Sequence, residues 1–132
     1  FSTLCYELME NACKYSVISP AILEIITDTY SSQFIVTMKN ITDQKHVKTF
    51  KDIYSIIKSK TAVEAYKELV FRSMNSNDIS QIGLARIQYE LETEIQYEIS
   101  YNFEELVSEN EVKSTNQNWV ILTIIVKIPM KN

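Results

Sequence analysis

Glycine is nearly missing from this chain: there is one in 132 residues, where average usage of about 7% would supply roughly nine. Loops that wrap phosphates in backbone N–H groups depend on glycine for close approach, so a glycine-rich phosphate loop is excluded. Histidine is equally scarce. His46 stands alone, remote from the two cysteines, Cys5 and Cys13, and no metal-ligand spacing arises from that set. On one helix the eight-residue separation of the cysteines spans about 12 Å, too far for a disulfide. Reduced thiols and a cytoplasmic setting are the expectation. No apolar run reaches the length of a membrane span; the longest, residues 119–126, is strand-sized, and the start has no signal-peptide pattern. Basic charge is not in excess either. The net charge is −4 and the pI is near 5.0, and Lys and Arg are scattered apart from a modest cluster in residues 39–60 that also carries acids. A nucleic-acid surface, which needs a basic patch, is excluded.

What is present suits one compact domain. The chain is 45% apolar with mixed charge, enough for a single core at this length. It begins at Phe1 and runs straight into an amphipathic pattern, which reads as an interior start lacking an N-terminal portion. The first helix runs to about Ser16, stopped by Ser19-Pro20. Residues 21–27 and 34–39 read as two strands of a hairpin around the turn at 28–32, and residues 40–43 as a polar exit from the second strand. Val47, Phe50, Ile53, Tyr54 and Ile57 recur at helical spacing over residues 44–58. Thr61 and Glu64 form a capping box opening a helix with Val63, Tyr66, Leu69, Val70 and Met74 on one face. After the polar cluster 75–78, a helix is expected over residues 82–91. A strand at 94–102 alternates Ile95, Tyr97, Ile99 and Tyr101 with polar residues. Residues 103–117 read as an exposed polar connection, and residues 119–128 as a central strand ended by Pro129. The order predicts an α/β fold, a two-layer sandwich of a mixed β-sheet with helices on one face.

The first helix carries the candidate chemistry. Glu7, Asn11 and Lys14 fall on one stripe at i, i+4 and i+7, beside an apolar stripe of Leu4, Leu8, Ala12 and Tyr15. A carboxylate can orient water or a hydroxyl, an amide oxygen can reach Mg²⁺, and a lysine can offset phosphate charge. The same stripe also fits the solvated face of an ordinary amphipathic helix.

The ten residues Glu7-Leu-Met-Glu-Asn11-Ala-Cys-Lys14-Tyr15-Ser16 resemble the N-box of the GHKL (Bergerat-fold) ATPase and kinase superfamily. From that helix onward the expected element order is also similar. Gln81-Ile82-Gly83-Leu84-Ala85-Arg86-Ile87 resembles the Gly-x-Gly-Leu segment that opens a helix at the phosphates, with Gln81 replacing its first glycine; a plain helix-start glycine is the alternative. The adenine-recognising Asp-x-Gly-x-Gly segment has no match. Asn40 stands where the Asp is expected, residues 41–44 contain no glycine, and Asp43 is an alternative carboxylate if the loop shifts. Two patterned helices replace a flexible lid. These features resemble small stand-alone bacterial GHKL-like proteins related to the SiaB-type serine kinases, a domain of unknown function.

The resemblance implies ATP with Mg²⁺ between the first helix and the Gly83 helix. Asn11 would ligate the metal, Glu7 would be the catalytic carboxylate, Lys14 would offset phosphate charge, and Tyr15 would lie beside the base. Asn40, Gly83, Leu84 and Arg86 would complete the nucleotide site, with Tyr89 near its end. It further implies a signalling protein, a serine kinase acting on a small regulatory protein partner, and a homodimer. The alternative is a catalytically inactive GHKL-fold interaction module that regulates a partner by binding. His46, at a polar helix start, reads as an exposed side chain.

Overall fold

The computed structural model describes residues 2–74, 82–107 and 118–130. The polar cluster at residues 75–78, Gln81 and residues 108–117 of the expected connection lie outside the described residues. The first helix, α1 (Ser2–Tyr15), buries Leu4, Leu8 and Ala12 at intervals of four, the stripe expected from the sequence. It closes with Ser16 N–H donating to Ala12 O, and Val17 N–H then donates to Ile41 O, tying the helix end to the sheet.

Strands β1 (Ile18–Asp28) and β2 (Gln33–Asp43) form the expected hairpin. Asp28 organises its turn, accepting from Tyr30 N–H and from the Ser31 hydroxyl at 2.6 Å. Ser32 takes the left-handed conformation, φ 54°. Pro20 falls within β1, an edge strand, the kind of strand that tolerates proline, and the register shifts between Ile18 and Ile22. Residues 40–43 are a correction: they continue β2 rather than leaving it. Asn40, Ile41 and Thr42 are buried. Their polar groups are satisfied by α1, with Thr42 Oγ1 donating to Tyr15 O at 2.6 Å and Asn40 Nδ2 to Ser16 Oγ at 3.0 Å. Hydrogen-bonded burial is what allows polar residues to extend a strand into the core.

Asp43 caps α2 (Gln44–Ser59), accepting from His46 N–H at 2.8 Å. Thr61 Oγ1 likewise accepts from Glu64 N–H ahead of α3 (Ala62–Met74). The buried residues of α3 include Ala65 and Leu69, whereas Val63 and Met74 of the expected face are exposed. Next come α4 (Ile82–Leu91), β3 (Glu94–Ser100), a short 3-10 turn (Phe103–Glu105) and β4 (Trp119–Pro129). Tyr101 lies beyond β3 and is exposed.

The helices and the sheet make the expected two-layer α/β sandwich. One core joins Leu4, Leu8, Ile53, Ile57, Ala65, Leu69, Leu84 and Ile87 of the helices to Val36, Met38, Ile95, Leu122, Ile124 and Val126 of the strands. Strand order is β1-β2-β4-β3, and every neighbouring pair is antiparallel. The expectation of a mixed sheet is corrected by that register. The two strands joined through the helices, β2 and β3, do run the same way, but β4 inserts between them and opposes both. β4 is central as expected, with residues 120–124 buried on both faces. The region after β3 is not simply an exposed loop. Leu106 and Val107 are buried with Ile41 and Ile121 in a second, smaller cluster, on the face of β2 and β4 opposite the helices. Among the described residues, no helix is long and apolar enough to cross a membrane.

Candidate functional site

An open-mouthed cavity lies between α1, α2 and the sheet. Strand period sets its floor: Met38, Asn40 and Thr42 are alternate residues of β2, and Leu122 and Ile124 are alternate residues of β4, paired as Asn40 with Leu122 and Met38 with Ile124. Helical period sets its walls. Leu8, Asn11, Ala12 and Tyr15 come from α1 and His46, Phe50 and Ile53 from α2, with Leu84 the one contribution of α4. Phe50 is held edge-on against Tyr97 of β3, centroids 5.3 Å apart, which fixes α2 over the sheet. An apolar cavity with a few placed polar groups is the usual form of a small-molecule site.

The polar groups cluster where α1 ends and α2 begins. His46 Nδ1 lies 2.7 Å from Asp43 Oδ1, and its ring packs on Tyr15 with centroids 4.8 Å apart and planes tilted by 51°. Burial is the strongest single influence on the Asp43 carboxyl and raises its pKa. The hydrogen bonds from the His46 backbone and ring, with the charges of His46 and Lys45, together outweigh it and hold the carboxyl below its ordinary value. Asp43 is thus committed to its cap and to His46, and no loop shift is needed to explain it.

A second cluster sits where α1 meets α4. Glu7 is largely buried and its Oε1 lies 3.4 Å from Arg86 Nη2. Among the described residues Arg86 Nε has no hydrogen-bond acceptor, and Glu90 Oε1 lies 4.0 Å from it. Gly83 is buried directly beneath Glu7. A Cβ there would overlap Glu7 Oε2 and stand 2.8 Å from Glu7 Cδ. Its φ is not positive, so close packing of two helices, rather than backbone freedom, is what calls for glycine here.

The fold therefore divides the expected site. Asn11, Tyr15, Asn40 and Leu84 line one cavity. Glu7, Gly83 and Arg86 come together beside it. Lys14 joins neither: it is exposed and its Nζ lies 3.3 Å from Glu10 Oε1. Tyr89 stacks on Tyr66, centroids 5.5 Å apart, on the outer side of α4. The reading of His46 as an exposed side chain is corrected, because its ring lines the cavity at 36% side-chain exposure. Thr42 and Ser16 were also missed as site neighbours. The signal for Thr42 was available: Val36, Met38, Asn40 and Thr42 continue one alternation. For His46 there was none, since only the cap by Asp43 turns its ring inward. Among the described residues, no group of three or more His, Cys, Asp or Glu side chains could hold a metal. In comparison with protein-family models, curated proteins and solved structures, no match to this chain is found.

Proposed function

We propose that the cavity binds the adenine ring of a nucleotide, in a GHKL-type signalling domain. One observation carries the reading. Asn11 and Tyr15 of the N-box-like helix and Asn40 of β2 are far apart in sequence, were singled out by the same resemblance, and line one apolar cavity. Asn40 Nδ2 is engaged by Ser16, which leaves the carboxamide oxygen as the end to accept from an exocyclic amine. Tyr15 packs beside the base, and Leu122, Ile124 and Met38 bury its face. Mg²⁺ fits this site only as a companion of the nucleotide. Asn11 offers one hard oxygen and the phosphates would supply others, the usual division for this ion. Its chemistry when bound is neutralisation of phosphate charge.

The activity this reading favours is phosphoryl transfer to a serine of a small partner protein, with Glu7 orienting the hydroxyl. A second reading is supported by a specific observation. The Glu7 carboxylate is engaged by Arg86 and packed on Gly83, so it meets a hydroxyl only if that pair opens. A nucleotide-sensing interaction module without transfer requires no such opening. Calorimetric titration with ATP, with and without Mg²⁺, beside Asn11→Ala tests the reading. Mg²⁺-dependent binding that Asn11→Ala abolishes, with unfolding free energy held within about 1 kcal/mol, is the expected result. Absence of binding at millimolar ATP overturns it. Binding without phosphorylation of any serine substrate favours the second reading.

A further inference from the structure

His46 is the one histidine of the chain, and the proposed nucleotide reading gives it no task. Its surroundings are nevertheless specific. Asp43 Oδ1 lies 2.7 Å from Nδ1, and the same carboxylate is fixed by capping α2 through His46 N–H. An ionised carboxylate only accepts, so the neutral ring carries its proton on Nδ1. Nε2 is then an acceptor, the tautomer logic of a carboxylate-oriented imidazole. The ring lines the cavity and packs on Tyr15. Among the cavity's polar side chains, Thr42 Oγ1 donates to Tyr15 O and Asn40 Nδ2 gives one of its two N–H groups to Ser16 Oγ. The acceptors on this side of the cavity are the Asn40 carboxamide oxygen and His46 Nε2.

We infer that His46, oriented by Asp43, makes the cavity selective for a ring bearing an amino group over the same ring bearing an oxo group. The inference rests on the nucleotide reading above, and it deepens that reading to base selection. A 6-amino purine offers two N–H donors where a 6-oxo purine offers an acceptor, so two acceptors favour the first and leave the second unpaired. Protonation of His46 reverses one of the two, turning Nε2 into a donor, and the discrimination shrinks. The titratable groups around the ring are Asp43 at its Nδ1, the Tyr15 phenol from α1 across its face, and Lys45 beside Asp43; β2 also brings the neutral Asn40 and Thr42.

The test compares ATP with ITP, whose ring differs in bearing a 6-oxo group in place of the 6-amino group, by calorimetry on the full chain and follows the single imidazole signal by NMR. Wild type is expected to prefer ATP at pH 8, with the preference falling about fivefold to tenfold, one hydrogen bond's worth, as the pH drops through the midpoint read from that signal. His46→Phe keeps a ring against Tyr15 and removes one acceptor; it is expected to bind both nucleotides with the preference reduced and no longer dependent on pH. If both nucleotides bind and His46→Phe leaves their ratio unchanged at each pH, the inference fails while the nucleotide reading stands. If neither binds and the imidazole signal is unmoved at millimolar concentrations, both fail.

Discussion

The packing of Gly83 under Glu7 makes a prediction whose sign depends on the background. Gly83 is the second residue of α4 and its φ is not positive, so alanine there gains helix propensity, roughly 0.5–1 kcal/mol near a helix start. Against this, the new methyl overlaps the Glu7 carboxylate, which must swing away from Arg86. The lost bond is charge-assisted but long at 3.4 Å, and Arg86 is 39% exposed, so its value is at the low end, about 1.5 kcal/mol. Gly83→Ala alone is therefore expected to destabilise by roughly 0.5–1 kcal/mol, the difference of those two figures. In a Glu7→Ala background the three Glu7 atoms nearest the new methyl, Oε2, Cδ and Cγ, are gone. The same substitution should then stabilise by roughly 0.5–1 kcal/mol. The coupling energy, about 1.5 kcal/mol, exceeds the ~0.5 kcal/mol scatter of additive pairs and is measurable by urea unfolding of the four proteins. Equal effects of Gly83→Ala in both backgrounds, within about 0.5 kcal/mol, would show that Glu7 is not what excludes a side chain at Gly83.

Three further expectations concern the scaffold. Leu8 is wholly buried at the junction of α1 with the sheet core, so Leu8→Ala should cost roughly 2–5 kcal/mol; a loss under about 0.5 kcal/mol in chemical unfolding contradicts the assignment of that helix face. Glu92 follows α4 at φ 51°, where a Cβ is crowded, so Glu92→Gly should stabilise by up to about 1 kcal/mol, read as a raised Tm, and a lowered Tm counts against strain at this site. Asp28 and Asp43 both have pKa values below the ordinary 3.8, Asp28 through the Ser31 hydroxyl and backbone bonds and Asp43 through the His46 bonds that outweigh its burial. Their depressed pKa values add stability that is present above about pH 3.8 and is lost as the pH falls through the lower folded values. The unfolding free energy of Asp43→Asn, which keeps the cap, should therefore fall less steeply with pH below about pH 4 than that of wild type; identical slopes contradict the linkage.

Much of the fold was written in periodicity. The stripe of Leu4, Leu8 and Ala12, the Thr61 cap and the continuous apolar run of β4 each depend on neighbours within a turn or a strand, and each forms as expected. The scarcity of glycine was legible too, and its consequence is local. Ser32 and Glu92 occupy left-handed positions that glycine would fill more easily, while the single glycine is spent where two helices touch. Of the candidate site, Asn11, Tyr15, Asn40 and Leu84 were named from sequence and do share a cavity.

The sequence by itself determined the elements, their order and the buried face of α1, because those follow from side chains spaced along one segment. Only the tertiary structure decided the rest. It inserted β4 between β2 and β3, so that same-direction strands never pair. It carried β2 through Asn40 and Thr42, because α1 supplies Tyr15 O and Ser16 Oγ to satisfy them. It set Arg86 on Glu7 and turned His46 into the cavity beside Tyr15. Each of these is a contact between segments distant in the chain, where polar burial must be matched by a partner that no local pattern names.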